Sequence, residues 1–168
     1  MLLETLLTVM LAQPIAVEDR GLSVAEREAL LTPVAASILV ATDRPFEIAA
    51  LVATGFQESG WRSAVLNDRC RKSKTDPACD HGKALGPWQV HKVACPLAFG
   101  HEPGALIAKV EAAECAVRLL RGGRTACGSW EGSFARYATG HSCEWSGAPA
   151  RARATWRAFA KLRSVEPG

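Results

Sequence analysis

The most informative part of this chain is residues 47–61, which read EIAALVATGFQESGW. Large apolar side chains lie there at positions i, i+3, i+4 and i+8, at Ile48, Leu51, Val52 and Phe56. That spacing places them on one face of a helix. We therefore predict a buried helix from Glu47 to Gln57, with Glu58 at its carboxyl end.

Glu58 is the candidate catalytic residue of this stretch. It follows an apolar helix and lies between Phe56 and Trp61, so we expect its carboxyl group to be poorly solvated. Poor solvation favours the protonated form of a carboxyl group, and a protonated carboxyl near neutral pH can act as a general acid. A surface or capping carboxylate is the alternative when the residue is considered alone.

The first half of the chain contains a second predicted helix and a long loop. Ser23 and Glu26 have the spacing of a capping box, which marks the start of a helix. That helix is predicted to run to about Thr42, with Pro33 interrupting or kinking it. Residues 62–87 are polar and rich in Asp, Lys, Gly and Cys, so they are predicted to form a central loop with a short hairpin as an option.

Three further helices are predicted in the second half. The first covers residues 104–121 and is ended by Gly122-Gly123. A short helix covers residues 133–138, and the last helix begins near Pro149. The sum is a mainly α fold in a chain of 168 residues, a length that fits one domain.

We predict an N-terminal segment, residues 1–20, followed by a catalytic domain, residues 21–168. Residues 1–11 read MLLETLLTVML, where Glu4 interrupts the apolar run and no basic residue precedes it, so a signal peptide is not indicated. The run is also too short to span a bilayer. We expect an amphipathic helix that acts as a packing element, an arm or an anchor, with other virion or cell-envelope machine proteins as optional partners.

Charge and histidine content exclude several classes of function. The formal net charge of +3 is typical of a solvated surface or of a protein attracted to an anionic polymer such as a bacterial wall. Nucleic acid is disfavoured, because Lys and Arg form no long cluster interleaved with aromatic residues. The four His match no usual zinc spacing, so we expect neither a metal nor another cofactor, and a Cys-His nucleophile is disfavoured.

Six cysteines are many for this length, and none belongs to a CxxC pair. Disulfide bonds formed in an oxidising compartment are the favoured interpretation, and buried free thiols are the alternative. Six cysteines allow fifteen pairings, of which Cys70 with Cys79 is the most local and would tie off the central loop. If the chain has no export signal, it needs another route out of the cytosol before its disulfides can form. Release of the protein by host lysis, or its delivery inside a virus particle, would supply that route. We therefore expect the protein to act in the periplasm or the extracellular wall.

Two further motifs follow Glu58. Residues 80–90 read DHGKALGPWQV, where two glycines permit a close backbone path and Gln89 offers a donor and an acceptor to sugar hydroxyls and N-acetyl groups. Residues 134–140 read FARYATG, where Tyr137 can reach into a cleft while Gly140 ends the helix.

Together the three motifs resemble the lysozyme-like superfamily, in its soluble lytic transglycosylase and goose-type lysozyme branches. The signatures of that group are Glu-Ser on a buried helix, then Gly-x-x-Gln, then Tyr-x-x-Gly. They appear here as Glu58-Ser59, Gly86-Pro87-Trp88-Gln89 and Tyr137-Ala138-Thr139-Gly140. The resemblance implies a mainly α fold with a cleft between two lobes and Glu58 as the catalytic acid. The substrate-binding residues would be Ser59, Trp88, Gln89 and Tyr137.

The chain departs from both branches. Where lytic transglycosylases usually carry Ser and Gly ahead of the motif Gln, this chain has Asp80 and Lys83, whereas Asp80-His81-Gly82 fits the goose-type pattern. Ala138 replaces the Asn that usually follows the motif Tyr. The stretch before Asp80 is longer than in either branch, and we interpret it as a disulfide-stapled insertion.

The resemblance predicts cleavage of the β-1,4 bond between N-acetylmuramic acid and N-acetylglucosamine in peptidoglycan. An inverting hydrolase needs a second carboxylate about 6.5–9.5 Å from the acid to activate water. Asp80 is the best candidate, ahead of Asp68 and Asp76, and slightly favours a muramidase.

Two alternatives remain open at this point. In a lytic transglycosylase the substrate's own hydroxyl attacks and leaves a 1,6-anhydro end, so Asp80 would only order its loop. A non-catalytic wall-binding or structural module of a phage tail or secretion machine is the alternative from another class.

Overall fold

The computed structural model describes residues 2–69 and 82–164. The predicted mainly α fold is confirmed for these residues, which contain seven α-helices and one antiparallel hairpin. The helices are α1 (Leu2–Leu11), α2 (Val24–Ala41), α3 (Pro45–Ser59), α4 (Ser63–Leu66), α5 (Leu106–Cys127), α6 (Trp130–Thr139) and α7 (Ala148–Arg163). The strands are β1 (Ala84–Leu85) and β2 (Val90–His91), and short 3-10 turns cover Val17–Asp19 and Leu97–Gly100.

Helix α3 lies at the centre of the core. Residues 48–52 are each at most 1 % exposed, so this helix is buried on all sides and not only on the predicted face. It packs mainly against α7 and also contacts α5 and α2. Pro45 begins the helix, where its fixed φ is favourable, and Gly60 ends it with a left-handed φ of 61°. Glu58 therefore projects from the last turn of a helix that its neighbours hold rigidly.

Two tryptophans pack against α3 at Gly55. A Cβ atom at this position would lie 2.5 Å from Cη2 and 2.8 Å from Cζ3 of Trp61, and 3.1 Å from Nε1 of Trp88. The indole of Trp88 donates a 2.9 Å hydrogen bond to the carbonyl of Leu51. The close approach of both rings to the helix backbone thus requires glycine at position 55.

We expect Gly55→Ala to lower the free energy of unfolding by about 1–3 kcal/mol, because the added methyl group overpacks the core against two rigid rings. Gly122→Ala is the matched control, since Gly122 is also inside a helix but no atom lies within 4 Å of an added Cβ. Alanine there should stabilise the protein by about 0.5–1 kcal/mol. Urea unfolding measures both values, and equal effects would contradict the packing described at Gly55.

The N-terminal helices pack on this core. Helix α1 contacts α2 and α7, and its buried residues are Leu6, Leu7, Val9 and Met10. The predicted capping box is confirmed, because Ser23 Oγ accepts from the Glu26 N–H at 3.2 Å and the Glu26 carboxylate accepts from the Ser23 N–H at 2.8 Å. Pro33 does not interrupt α2, which continues to Ala41. Within the described ranges, no helix combines the length and apolarity needed to cross a membrane.

Gly122-Gly123 does not end α5, contrary to the prediction from the sequence. The helix continues beyond the pair and ends at Gly128, whose φ of 71° is left-handed. Gly123 instead allows α6 to approach, because a Cβ atom there would lie 3.0 Å from Cα of Ser133. The hydroxyl of Ser133 also donates a 2.6 Å hydrogen bond to the carbonyl of Leu120. Helix–helix packing therefore overrides the helix-ending tendency of glycine at this point.

Two disulfide bonds attach loops to α5, which confirms the predicted use of cysteine for four of the six residues. They are Cys95–Cys115 and Cys127–Cys143. The first joins the segment after β2 to the middle of α5, and the second joins the end of α5 to the segment after α6. The predicted local pair, Cys70 with Cys79, lies outside the described residues.

Glu47, in the first turn of α3, is buried and held by a bidentate ion pair. Arg121 of α5 donates from Nε to Oε1 at 2.8 Å and from Nη2 to Oε2 at 2.7 Å, and the Thr42 hydroxyl donates to Oε2 at 2.6 Å. These hydrogen bonds, chiefly those from Arg121, hold the pKa of Glu47 below its ordinary value against the opposing effect of burial. The ionised form of Glu47 therefore stabilises the fold by linking α3 to α5.

We expect this network to make the fold sensitive to acid. A carboxyl group whose pKa is lowered by folding stabilises the native state fully above its unfolded-state pKa, about 4.3, and loses that contribution as the pH falls through the folded-state pKa. Urea unfolding from about pH 6 to about pH 3 should therefore show a steeper loss of stability for the wild type than for Glu47→Gln. Parallel curves for the two proteins would contradict the assigned role of Glu47.

Candidate active site around Glu58

Glu58 lies at the end of α3 against a buried cation. Its Oε1 atom is 2.8 Å from Nη1 of Arg151, which projects from the first turn of α7. The Glu58 side chain is 23 % exposed and that of Arg151 is 3 % exposed. Nη1 has no aligned hydrogen-bond acceptor, so the contact is an ion pair without a hydrogen bond. The setting of Glu58 is therefore not the purely apolar one expected from the sequence.

Two further groups hold Arg151 in place. Its Nε donates a 2.5 Å hydrogen bond to Oε1 of Gln57, and its guanidinium carbon lies 5.1 Å from the ring centre of Trp145. The second distance is that of a cation–π contact. Trp145 is 38 % exposed as a residue, so it adds an aromatic surface beside the Glu58–Arg151 pair.

Sequence reasoning did not identify Arg151, although a signal for it is present. The buried residues of α7 recur at helical spacing, and Arg151 is one of them, together with Thr155, Ala158 and Leu162. A basic residue on the buried stripe of a helix needs a partner, because an isolated buried charge is strongly unfavourable. That pattern points to a carboxylate on a neighbouring element, here Glu58.

Tyr137 of α6 belongs to the same site. Its hydroxyl donates a 2.8 Å hydrogen bond to the main-chain carbonyl of Trp88. Burial raises the pKa of Tyr137 well above its ordinary value, the negative charge of Glu58 raises it further, and Arg151 opposes the shift. The charges of Glu58 and Arg151 therefore act on the Tyr137 hydroxyl, and we group the three residues as one charge cluster. Tyr137 is accordingly a neutral hydrogen-bond donor at physiological pH.

Gln89 and Tyr137 line one groove of about 460 Å³ among β2, α5 and α6. Arg118 and Arg136 add two positive charges to its otherwise largely apolar wall. Gln89 has a left-handed φ of 48°, and its Nε2 donates to the Gly86 carbonyl at 2.9 Å. Two of the predicted substrate-binding residues therefore share one wall.

Glu58 is not part of the groove lining. Tyr137 is the residue common to the groove and to the Glu58 charge cluster.

The other two predicted substrate-binding residues are buried. Trp88 is 0 % exposed, and its indole N–H donates a hydrogen bond to the carbonyl of Leu51. Ser59 is 1 % exposed, and its Oγ donates to the Gly55 carbonyl at 2.6 Å and accepts from the Trp61 N–H at 3.1 Å. Trp88 therefore packs against the middle of α3 and Ser59 against its end, and neither side chain presents a surface to a glycan.

The predicted second carboxylate, Asp80, lies outside the described residues, as does Asp76. Asp68 is 3 % exposed, and its Oδ2 accepts from the Gly104 N–H at 2.7 Å. Burial lowers the pKa of Lys109, and the charge of Asp68 opposes that shift, so Asp68 belongs to a separate packed cluster. In the part of the chain that the structure describes, no three His, Cys, Asp or Glu side chains are grouped as a metal site requires.

Comparisons with known proteins give no assignment. No protein-family model, no curated protein and no solved structure matches this chain. A function for this chain is therefore inferred from the residues around Glu58 and from the order of the three motifs.

Proposed function

We propose that this protein cleaves the glycan strands of peptidoglycan at the β-1,4 bond between N-acetylmuramic acid and N-acetylglucosamine, with Glu58 as the general acid. The observation that carries the proposal is the placement of Glu58. It is a partly exposed carboxyl group at the end of a buried helix, held by the buried guanidinium of Arg151. Tyr137, whose pKa responds to the charges of this pair, also lines a groove of about 460 Å³.

The cluster suits the carboxylate that Glu58 becomes once it has given its proton to a glycosidic oxygen. A glycosidase acid protonates the leaving oxygen and becomes a carboxylate as the bond breaks. The guanidinium of Arg151, 2.8 Å away, stabilises the negative charge that develops on Glu58. Arg151 also fixes the direction of the carboxyl group, because Gln57 and α7 hold the guanidinium itself.

The groove suits a glycan with anionic substituents. Gln89 Oε1 accepts no hydrogen bond from the described residues, so it is available to a sugar hydroxyl or amide N–H. The exposed ring of Trp145 offers a face on which a sugar could stack. Arg118 and Arg136 complement the carboxylates of the stem peptides of peptidoglycan.

Hydrolysis and transglycosylation differ in the step that follows protonation. Water activated by a second carboxylate, for which Asp80 is the candidate, gives a reducing muramic acid end. Attack by the substrate's own hydroxyl, with Glu58 now acting as the base, gives a 1,6-anhydro end. We favour the muramidase because Asp80-His81-Gly82 fits the goose-type pattern. The two disulfide bonds are compatible with action in the periplasm or the extracellular wall.

Mass spectrometry of purified peptidoglycan digested by the wild-type chain tests the proposal, with Glu58→Gln as the background control. We expect soluble fragments with reducing muramic acid ends. Anhydro-muramic ends would assign a lytic transglycosylase and remove the role of Asp80 in activating water. Wild-type protein that sediments with the wall but releases no fragments would overturn the enzymatic proposal in favour of a wall-binding module.

A further inference from the structure

Helix α7 concentrates the positive charge of this chain. It contains five basic residues and no acidic one, while the formal net charge of the whole chain is only +3. Arg151 is used internally by Glu58, and the other four lie on exposed positions. They are Arg153, Arg157, Lys161 and Arg163. The outer face of α7 is therefore strongly cationic.

The spacing of these charges does not favour the helix itself. Arg153, Arg157 and Lys161 follow one another at four-residue intervals, so they are neighbours on one face, and like charges at this spacing destabilise a helix. Within the described ranges none of the three forms an ion pair with a carboxylate, although Glu4 of α1 lines a groove with Lys161. An external anionic surface would relieve the repulsion among these three side chains.

Trp156 lies at the edge of this row of basic residues, and other aromatic rings pack against it. Trp156 is 55 % exposed, and its ring packs edge-on against Phe46, with centroids 4.7 Å apart, and against Phe159 at 5.7 Å. Phe46 in turn lies 4.9 Å from Trp130. The aromatic base holds the Trp156 ring in place, so little side-chain freedom remains to be lost when this residue inserts into a partner.

We propose that this outer face of α7, defined as Arg153, Trp156, Arg157, Lys161 and Arg163, adsorbs to the surface of a bilayer that contains anionic phospholipids. Cations beside a helix attract anionic headgroups, and a tryptophan ring is favoured at the boundary between headgroups and acyl chains. The combination of both on one face distinguishes this surface from a simply solvated one. The inference does not depend on the proposed glycan cleavage.

Co-sedimentation of the full chain with vesicles tests this surface. We expect binding to phosphatidylcholine vesicles that contain about 30 % phosphatidylglycerol, no binding to pure phosphatidylcholine vesicles, and weakening by salt. Each cation near an anionic surface contributes about fivefold to binding, so Arg153→Gln with Arg157→Gln should weaken it about 25-fold. Arg20→Gln with Lys92→Gln removes the same charge from exposed positions elsewhere and should weaken it about twofold or less.

A second readout locates the tryptophan. Vesicles with brominated acyl chains should quench part of the wild-type tryptophan fluorescence, and Trp156→Phe should abolish that quenching. If the two double variants weakened vesicle binding equally, binding would depend on net charge alone, and the assignment of the outer face of α7 would be wrong. Unchanged quenching in Trp156→Phe, or tighter binding to a soluble acidic polymer than to the vesicles, would also overturn the proposal.

Discussion

Replacing Glu58 by Gln is expected to lower the rate of glycan cleavage about a thousandfold while leaving the fold intact. General acid catalysis typically contributes between about a hundredfold and ten-thousandfold to a rate, and glutamine has no proton to donate to the leaving oxygen. The side chain has the same shape, and its amide oxygen can still face Arg151. Glu58 is 23 % exposed and Arg151 keeps its hydrogen bond to Gln57, so we expect the variant to fold, with some loss of stability because the buried guanidinium loses its charged partner.

The measurement is release of soluble fragments from purified peptidoglycan over time, by wild type and by Glu58→Gln. Glu28→Gln is the matched control, since it removes the same charge from an exposed position on α2. We expect full activity for that variant and superimposable circular dichroism spectra for all three proteins. A Glu58→Gln variant that retained more than about a tenth of the wild-type rate would remove Glu58 from the role of general acid.

Local signals in the sequence predict much of the helical framework. The period of apolar residues gives α3 to within two residues at each end, and Ser23 with Glu26 gives the start of α2. The same reasoning fails at Gly122-Gly123, because glycine marks both helix ends and close helix contacts. Which of the two applies depends on α6, whose Ser133 packs against Gly123. Tertiary contacts of this kind are not visible in a local pattern.

In the candidate site, too, local sequence patterns indicate some residues, whereas tertiary packing determines the position of others. Motif order directs attention to Gln89 and Tyr137, which line one groove, but it does not distinguish a residue of the groove wall from a buried supporting residue. Trp88 and Ser59 stand beside the motif residues and are buried. Arg151 lies far from Glu58 in the sequence, and only the packing of α7 on α3 brings the two together.

Arg151→Met should have the largest effect on stability among the changes considered, and it should also lower activity. Methionine preserves the apolar contacts of the arginine stem but removes the 2.5 Å hydrogen bond to Gln57, the ion pair with Glu58 and the cation–π contact with Trp145. Hydrogen bonds to charged groups contribute about 1.5–3 kcal/mol each, and the ion pair adds less because Glu58 is partly exposed. We expect a loss of about 2–4 kcal/mol, which corresponds to a fall of about 5–15 °C in Tm.

The effect on activity separates a positioning role from a merely structural one. Loss of a residue that orients a catalytic side chain can lower a rate about a hundredfold. We therefore expect Arg151→Met to lower kcat while KM changes little. Arg151→Lys keeps the charge but lacks the planar fork that contacts Gln57 and Glu58 together, so we expect it to recover stability better than kcat. A double-mutant cycle that combines Arg151→Met with Gln57→Leu then measures the coupling energy between the side chains of Arg151 and Gln57. If Arg151→Met lowered Tm but left kcat of the folded fraction unchanged, Arg151 would support α3 and α7 without orienting Glu58, and the stabilisation of a developing carboxylate by its guanidinium would have to be abandoned.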